Sequence, residues 1–221
     1  MKLRSRLLWL FAAVSATLAV MFFAGHGDAK PRTTAASDAA ARNAQSSDDD
    51  RKFRITSSTF SNGATIPPSM VFSGTLGSVC TGGNNSPELS WTRGEGRTQS
   101  YVVAVFDVTA NFAHWGVYNI PADTTELAFG AGAPGSTSLP QVFNDAGIQG
   151  YSGPCPPPDL VANGIHQYVF TVYALDKQLN LAQSADFPPG ADALYRAMIG
   201  HVIEQASITG LFSCSNASSC Q

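Results

Sequence analysis

The chain has 221 residues, a formal net charge of −3 and a hydrophobic content of 44%. Beyond residue 29 there remain ten basic and fifteen acidic side chains, and this acidic balance disfavours nucleic-acid binding through a basic face. The stretch from Phe53 to Phe212 is long enough for one domain with an ordinary hydrophobic core, and it is too short for two.

The first segment, residues 1–29, has the pattern of an export signal. Lys2, Arg4 and Arg6 precede the uncharged apolar run LLWLFAAVSATLAVMFFA at residues 7–24, as in secretory signal peptides. The run is also just long enough to span a membrane, so a retained N-terminal anchor is the alternative. In both cases the basic flank predicts that everything after residue 24 lies outside the cytoplasm, either in the periplasm or secreted.

The next segment, residues 30–52, is predicted to be a disordered linker. It contains no aromatic residue and no Val, Leu or Ile. Such a segment cannot bury enough apolar surface to offset the entropy lost on ordering.

The domain proper, residues 53–212, is predicted to be mainly β. Candidate strands are rich in Val, Tyr, Phe and other β-formers and are bounded by turn residues; they cover 53–60, 88–91, 99–107, 114–120, 166–175 and 206–212. One helix is predicted over 190–206, where Leu194, Met198, Val202 and Ala206 recur at helical spacing. His201 lies beside that stripe, and packing at the edge of the core is its expected role.

All four cysteines follow the export segment, and an even number in an oxidising compartment favours disulfides. The sequence permits three pairings. Cys214 and Cys220 are near neighbours in a Ser-rich tail, residues 213–221, and are predicted to close a small loop there. That choice leaves Cys80 to pair with Cys155. A free, nucleophilic Cys155 is the alternative.

Polar side chains collect at the ends of three predicted strands. Asp107 ends one strand and His114 opens the next, so in a hairpin both lie at the same end of the sheet. His166 opens a third strand, and Tyr168, two residues later, faces the same side. The proline-rich segment GYSGPCPPP, residues 150–158, cannot be a helix or a central strand. It is predicted to form a stiff pocket wall that costs little ordering on binding.

Each of these side chains also has a purely structural interpretation. A strand histidine is often a packed, hydrogen-bonded residue, Asp107 can cap a turn, and Tyr168 and Trp115 can be core aromatics. As a group, however, two imidazoles and a phenol supply several hydrogen-bond donors for an anion, and Asp107 can orient a neighbouring histidine.

The ordered motifs NNSPELSW, FD, HWGVYNIP, GYSGPCPPP and HQYVFTVYALD resemble the phosphatidylethanolamine-binding protein family, in particular its bacterial Raf-kinase-inhibitor-like branch. The similarity extends over nearly all of residues 53–212. It implies a β-sandwich around a large antiparallel sheet with a few peripheral helices. It also implies a small pocket at one end that binds phosphate, acetate or a phosphoethanolamine head group.

Carried over position by position, the resemblance implies a ligand-binding set that consists of Asp107, His114, Trp115, Pro154, Pro156, His166 and Tyr168. The family's usual Asp-Pro-Asp-Ala-Pro segment is DVTAN here, so Thr109 stands in place of the second aspartate and both prolines are absent. The loss of that negative charge should make the pocket more hospitable to phosphate. Eukaryotic members are linked to kinase and signalling partners, but motif similarity alone does not transfer a kinase or protease partner to an exported chain.

Together these observations predict an exported, non-enzymatic binding protein for phosphate or a phospholipid head group, without a cofactor, with inhibition of a partner protein as an associated role. The alternative is a hydrolase that uses a His/Asp pair in the same pocket, although the sequence has no G-x-S-x-G elbow, H-E-x-x-H motif or P-loop. A zinc site made from Asp107, His114 and His166 is a third possibility, but no tight ligand spacing favours it.

Overall fold

The computed structural model describes residues 52–73, 80–156, 164–181 and 189–214. The chain divides into two units, 1–44 and 45–221, and every described residue belongs to the second. The predicted export segment, the linker up to Arg51, Pro157 and Pro158 of the predicted wall, and Cys220 lie outside the described residues. No helix in the described ranges is long and apolar enough to cross a membrane.

The described residues form a mainly β structure, as predicted. The elements in chain order are β1 (Ile55–Thr56), a short 3-10 helix (Pro68–Met70), β2 (Leu89–Trp91), β3 (Ser100–Asp107), β4 (Phe112–Pro121), β5 (Glu126–Leu127), β6 (His166–Leu175), α1 (Ala191–Met198) and β7 (Val202–Phe212). They make a four-stranded sheet of order β4-β3-β6-β7 and a three-stranded sheet of order β1-β2-β5. All the pairings between these strands are antiparallel.

The large sheet is covered on both faces because its strands alternate two sets of apolar side chains. One face forms the main core together with the small sheet; its members include Val103, Val105, Phe170, Val172, Leu89, Trp91 and Leu127. The other face packs against α1 through Val102, Leu175, Leu194 and Met198. Buried apolar runs in β3 and β6 therefore reflect burial on both sides, as in sheets that have layers on each face.

The predicted helix over 190–206 is wrong in its second half. The helix ends at Met198, and the chain turns through Gly200, whose φ of 78° suits glycine. From Val202 onward the chain pairs with β6 along its length, and this pairing overrides the helical spacing of Val202 and Ala206. His201 lies at the turn, with Nδ1 2.9 Å from Oδ1 of Asp176.

Candidate functional site

A β-bulge in β4 sets the direction of His114. The pairing between β3 and β4 passes from Val105 and Trp115 directly to Phe106 and Ala113, so His114 is the extra residue. Regular alternation would place His114 on the face opposite to Trp115. The bulge instead brings its ring to Tyr168, with ring centroids 5.1 Å apart, and re-aiming a side chain is a common effect of bulges.

Asp107 is the centre of the hydrogen-bond network at this end of the sheet. Its Oδ1 accepts bonds from the backbone N–H groups of Thr109 (2.9 Å) and Ala110 (3.1 Å). Its Oδ2 lies 2.6 Å from Nδ1 of His166, and both side chains are almost fully buried. The phenol of Tyr168 lies near the same carboxyl group, which contributes, after burial, to raising the pKa of the phenol. These partners compensate for burying a carboxylate and leave it with a structural, orienting role.

His166 has one nitrogen without a partner. Because Nδ1 faces a carboxylate, which can only accept a hydrogen bond when it is ionised, the Nδ1 position carries the proton. The other nitrogen, Nε2, is buried and has no hydrogen-bond partner among the described residues. Buried polar atoms in native proteins nearly always have a partner, so this nitrogen is the point where a bound molecule or a water would be satisfied.

His114 is held through the same ring nitrogen, but by the wall loop. Its Nδ1 donates to the backbone carbonyl of Ser152 at 2.7 Å, which leaves Nε2 as the remaining nitrogen. Burial lowers the pKa of His114 below its ordinary 6.5, and the proximity of His166 adds to the lowering. The bond to Ser152 and the carboxylates of Asp107 and Asp145 oppose the lowering, but burial is the largest cause.

Tyr168 completes the cluster. Its ring lies 6.3 Å from that of His166, centroid to centroid, with the planes nearly parallel. Burial raises the pKa of the Tyr168 phenol far above its ordinary range, and the nearby Asp107 carboxylate raises it further. The phenol is therefore a neutral O–H group at all physiological pH values.

The segment after Gly150 is the predicted wall, and several hydrogen bonds and a disulfide hold it. The backbone N–H of Ser152 donates to the carbonyl of His114 at 3.0 Å, and the N–H of Phe72 donates to that of Pro154 at 3.0 Å. Cys155 is bridged to Cys80 with an S–S distance of 2.08 Å. Both Pro154 and Pro156 are buried. The wall is thus attached to β4 on one side and to Phe72 and Cys80 on the other.

Other residues that support the site were not predicted from the sequence. Asn84, at a positive φ of 50°, accepts a bond from the N–H of Gly153 at 2.8 Å through Oδ1. Asn144 donates from its side-chain amide to the carbonyl groups of His114 and Gly150. The NNSP motif therefore positions the GYSGPC motif. No spacing rule could have linked two segments that lie so far apart in sequence.

Two residues singled out from the sequence have hydrogen-bond partners within the protein. Trp115 is buried in the main core, where Nε1 donates to Oε1 of Gln141 at 2.6 Å and the ring packs edge-on against Tyr151. The hydroxyl of Thr109 accepts the backbone N–H of Gln167 at 3.0 Å. Thr109 thus ties the β3–β4 turn to β6.

An apolar groove of about 400 Å³ lies elsewhere, lined by Phe106, Val108, Val169, Thr171, Tyr173 and Tyr195. Phe106 and Val169 neighbour Asp107 and Tyr168 in their strands, so the groove is on the opposite face of the sheet from the polar cluster. In the part of the chain that the structure describes, one group of three potential metal ligands is close enough to hold an ion: the sulfurs of Cys80, Cys155 and Cys214. All three of these cysteines are disulfide-bonded, Cys80 to Cys155.

Comparison with known proteins gives consistent matches over the domain. A sequence profile described as phosphatidylethanolamine-binding protein matches residues 56–213. A UPF0098 protein of Methanothermobacter thermautotrophicus is 39% identical over 143 residues, which are 61% of this chain and 86% of that protein. A putative lipoprotein, LppC of Mycobacterium tuberculosis, is 35% identical over 72% of this chain and 71% of its own length.

Among solved structures, the crystal structure of Escherichia coli YbcL, described as a new member of the mammalian PEBP family, matches with a TM-score of 0.63 and 34% identity. The match covers 73% of this chain and 98% of YbcL.

Proposed function

This chain belongs to the phosphatidylethanolamine-binding protein family, and we propose that it is an exported, non-enzymatic binding protein whose cluster of Asp107, His114, His166 and Tyr168 holds a small anion of the phosphate class. The description of the family and of YbcL refers to binding of a phospholipid. The head group of such a lipid presents a phosphate, and free phosphate shares that chemistry. The resemblance to the Raf-kinase-inhibitor-like branch supports a further proposal, that the domain inhibits a partner protein.

The observation that carries the proposal is the buried, unpartnered Nε2 of His166 beside the network around Asp107. A buried polar atom without a partner costs on the order of 1–3 kcal/mol. A ligand that supplies the missing hydrogen bond recovers that cost on binding. The bond between Nδ1 and Asp107 holds the ring so that Nε2 stays in place, as expected of a preorganised site.

The hydrogen-bonding capacity of the two Nε2 atoms favours a hydrogenphosphate-like anion. Such an anion has both acceptor oxygens and an O–H group, so it can accept from a protonated Nε2 or donate to an unprotonated one. The neutral phenol of Tyr168 supplies a further donor when it is not engaged with Asp107. A carboxylate ligand such as acetate has no O–H when ionised and would satisfy fewer of these atoms.

Export is supported by the basic, apolar segment at residues 1–24 and by the disulfide between Cys80 and Cys155, since such bridges persist in oxidising compartments. The printed name of the Mycobacterium tuberculosis relative, putative lipoprotein, points in the same direction.

The hydrolase alternative would need a nucleophile activated by one of the histidines. Ser152 contacts His114 through its backbone carbonyl oxygen, and Nδ1 of His166 faces Asp107. These contacts orient the rings but do not by themselves activate a nucleophile. Incubation with phosphoethanolamine separates the two functions: a binding protein leaves it intact, whereas a phosphatase releases inorganic phosphate.

The decisive experiment is calorimetric titration with phosphate and with phosphoethanolamine. We expect His166→Ala to weaken binding of both by about tenfold or more, because a hydrogen bond to a charged group contributes roughly 1.5–3 kcal/mol. His201→Ala is the control, since His201 pairs with Asp176 at the other end of β6 and should bind like the wild type. Equal affinity of wild type and His166→Ala would refute the assignment of this site.

A further inference from the structure

Three cysteine sulfurs meet at the end of the large sheet that carries the polar cluster. Cys80 and Cys155 are bridged, and Sγ of Cys214 lies 3.6 Å from Sγ of Cys80. All three sulfurs lie within 4.8 Å of one another. Cys214 follows β7 by two residues, and β7 ends where Phe212 pairs with His166. The sulfur cluster and the proposed anion site therefore share one end of the sheet.

We propose that this cluster is a thiol–disulfide exchange switch that detaches the wall loop from Cys80 and so weakens anion binding. The part that concerns anion binding rests on the proposed function, whereas the exchange chemistry does not. Cys214 is itself disulfide-bonded, and its predicted partner, Cys220, lies outside the described residues.

The chemistry takes two steps. A dithiol reductant, such as a protein of the thioredoxin class, first opens the Cys214 bridge: the dithiol is oxidised to a disulfide, the sulfur that was bonded to Cys214 leaves as a thiol, and Cys214 is left as a thiolate. That thiolate then attacks Sγ of Cys80. A Cys80–Cys214 bond forms, the Cys80–Cys155 bond breaks, and Cys155 leaves as a thiolate. The second step consumes no further reductant because one disulfide replaces another.

Burial explains why an internal thiolate is the effective attacking group. Cys80 is only 2% exposed, whereas Cys155 and Cys214 are partly exposed. An external thiol has poor access to the Cys80 sulfur, but Cys214 is already at van der Waals distance from it. Attack requires the Cys214 sulfur to approach Cys80 along the axis of the bond between Cys80 and Cys155.

The exchange would act on the pocket through the wall loop. Cys155 lies between Pro154 and Pro156, and its bridge attaches this loop covalently to Cys80. The contacts of Ser152 with His114 would remain, so the site would be loosened and not abolished. We expect phosphate affinity to fall by roughly threefold to tenfold, as when preorganisation of a binding loop is lost.

Two double variants of the full chain, produced in an oxidising compartment, test the exchange. Cys214→Ser with Cys220→Ser leaves only Cys80 and Cys155, which locks the starting bridge. Cys155→Ser with Cys220→Ser leaves only Cys80 and Cys214, which can form only the exchanged bridge. Non-reducing peptide mapping should find a Cys80–Cys214 disulfide in the second variant. Two free thiols in a folded second variant would overturn the proposal.

The single variant Cys220→Ser keeps the test decisive if the second double variant does not fold. With all three clustered cysteines present, mapping should find the Cys80–Cys155 and Cys80–Cys214 bridges together after incubation at about pH 8.5, where about half of an ordinary thiol is ionised. Only the Cys80–Cys155 bridge, with Cys214 fully alkylated, would contradict exchange.

Phosphate titration of the two double variants tests the regulatory part. Weaker binding by the exchanged form than by the starting form supports it, and equal affinity in the two forms overturns it. If the starting form does not bind phosphate or phosphoethanolamine at all, the proposed function fails, while the mapping result still decides whether the sulfurs exchange.

Discussion

At the scale of single residues, the two histidines of the site are held by different partners through the same ring nitrogen. His166 is oriented by a carboxylate and His114 by a backbone carbonyl. In both rings Nδ1 is the nitrogen that is engaged, so Nε2 is the one left for a ligand. Asp107 is saturated by its own turn and by His166, and the absence of a second carboxylate at Thr109 leaves the cluster with little negative charge to repel an anion.

The lowered pKa of His114 predicts a pH-dependent contribution to stability. Burial lowers its pKa in the folded state below the ordinary 6.5 of an exposed imidazole. Between these two values the unfolded chain binds a proton that the folded chain does not, so stability rises with pH. The contribution of His114 to the free energy of unfolding is complete above the pKa that this residue has in the unfolded chain. It is lost as pH falls from about 6.5 towards the pKa of His114 in the folded chain.

The measurement is urea denaturation of wild type and His114→Asn across this range, since asparagine can keep a donor to Ser152 without titrating. We expect the unfolding free energy of the wild type to fall relative to the variant by up to about 1.4 kcal/mol per pH unit below pH 6.5. Parallel curves for the two proteins would show that His114 does not bear this penalty.

At the scale of elements, the site is produced by irregularities in otherwise regular strands. The bulge at His114 brings that ring to Tyr168, and Asn111, at a φ of 55°, closes the tight turn between β3 and β4. The wall loop passes so close to the 70–72 segment that one of its residues must be glycine: a Cβ on Gly153 would lie 2.1 Å from the carbonyl oxygen of Met70.

Gly153→Ala should therefore destabilise the protein and disturb the site. The clash involves backbone atoms, which can move only if the wall shifts, and overpacking of this kind typically costs about 1–3 kcal/mol. Gly96→Ala is the matched control, because a Cβ there meets nothing within 4 Å. Denaturation and phosphate titration of both variants give the result, and an unchanged Gly153→Ala protein would contradict the close approach.

At the scale of the whole molecule, the bridge between Cys80 and Cys155 closes a long stretch of chain, with a sequence separation of 75. The loop-entropy model assigns such a bridge about 4 kcal/mol and a short one, like the predicted Cys214–Cys220 bridge, about 2 kcal/mol. The long bridge also connects the wall to Cys80 in the main core, so its loss affects both the unfolded ensemble and the site.

Removing each pair of cysteines separates the two contributions. We expect the double variant Cys80→Ser with Cys155→Ser to melt at a lower temperature than Cys214→Ser with Cys220→Ser, because the longer loop regains more entropy on unfolding. Calorimetric melting temperatures of the two variants and the wild type provide the comparison, and the reverse order would show that the tail bridge dominates.

The sequence by itself determined the fold class, the strands β3, β4 and β6, and the family, because runs of β-branched and aromatic residues between turn formers and a set of ordered motifs are local signals. Asp107, His166 and Tyr168 could be placed together from strand ends and alternation alone. Local spacing failed for the helix over 190–206, where pairing of Val202–Phe212 with β6 prevails. Local spacing also did not predict the contacts made by Asn84, Asn144 and the carbonyl of Ser152. Only the tertiary structure decided these, since a bulge, a backbone acceptor and contacts between distant loops depend on how the strands and loops pack and leave no periodic signal in the chain.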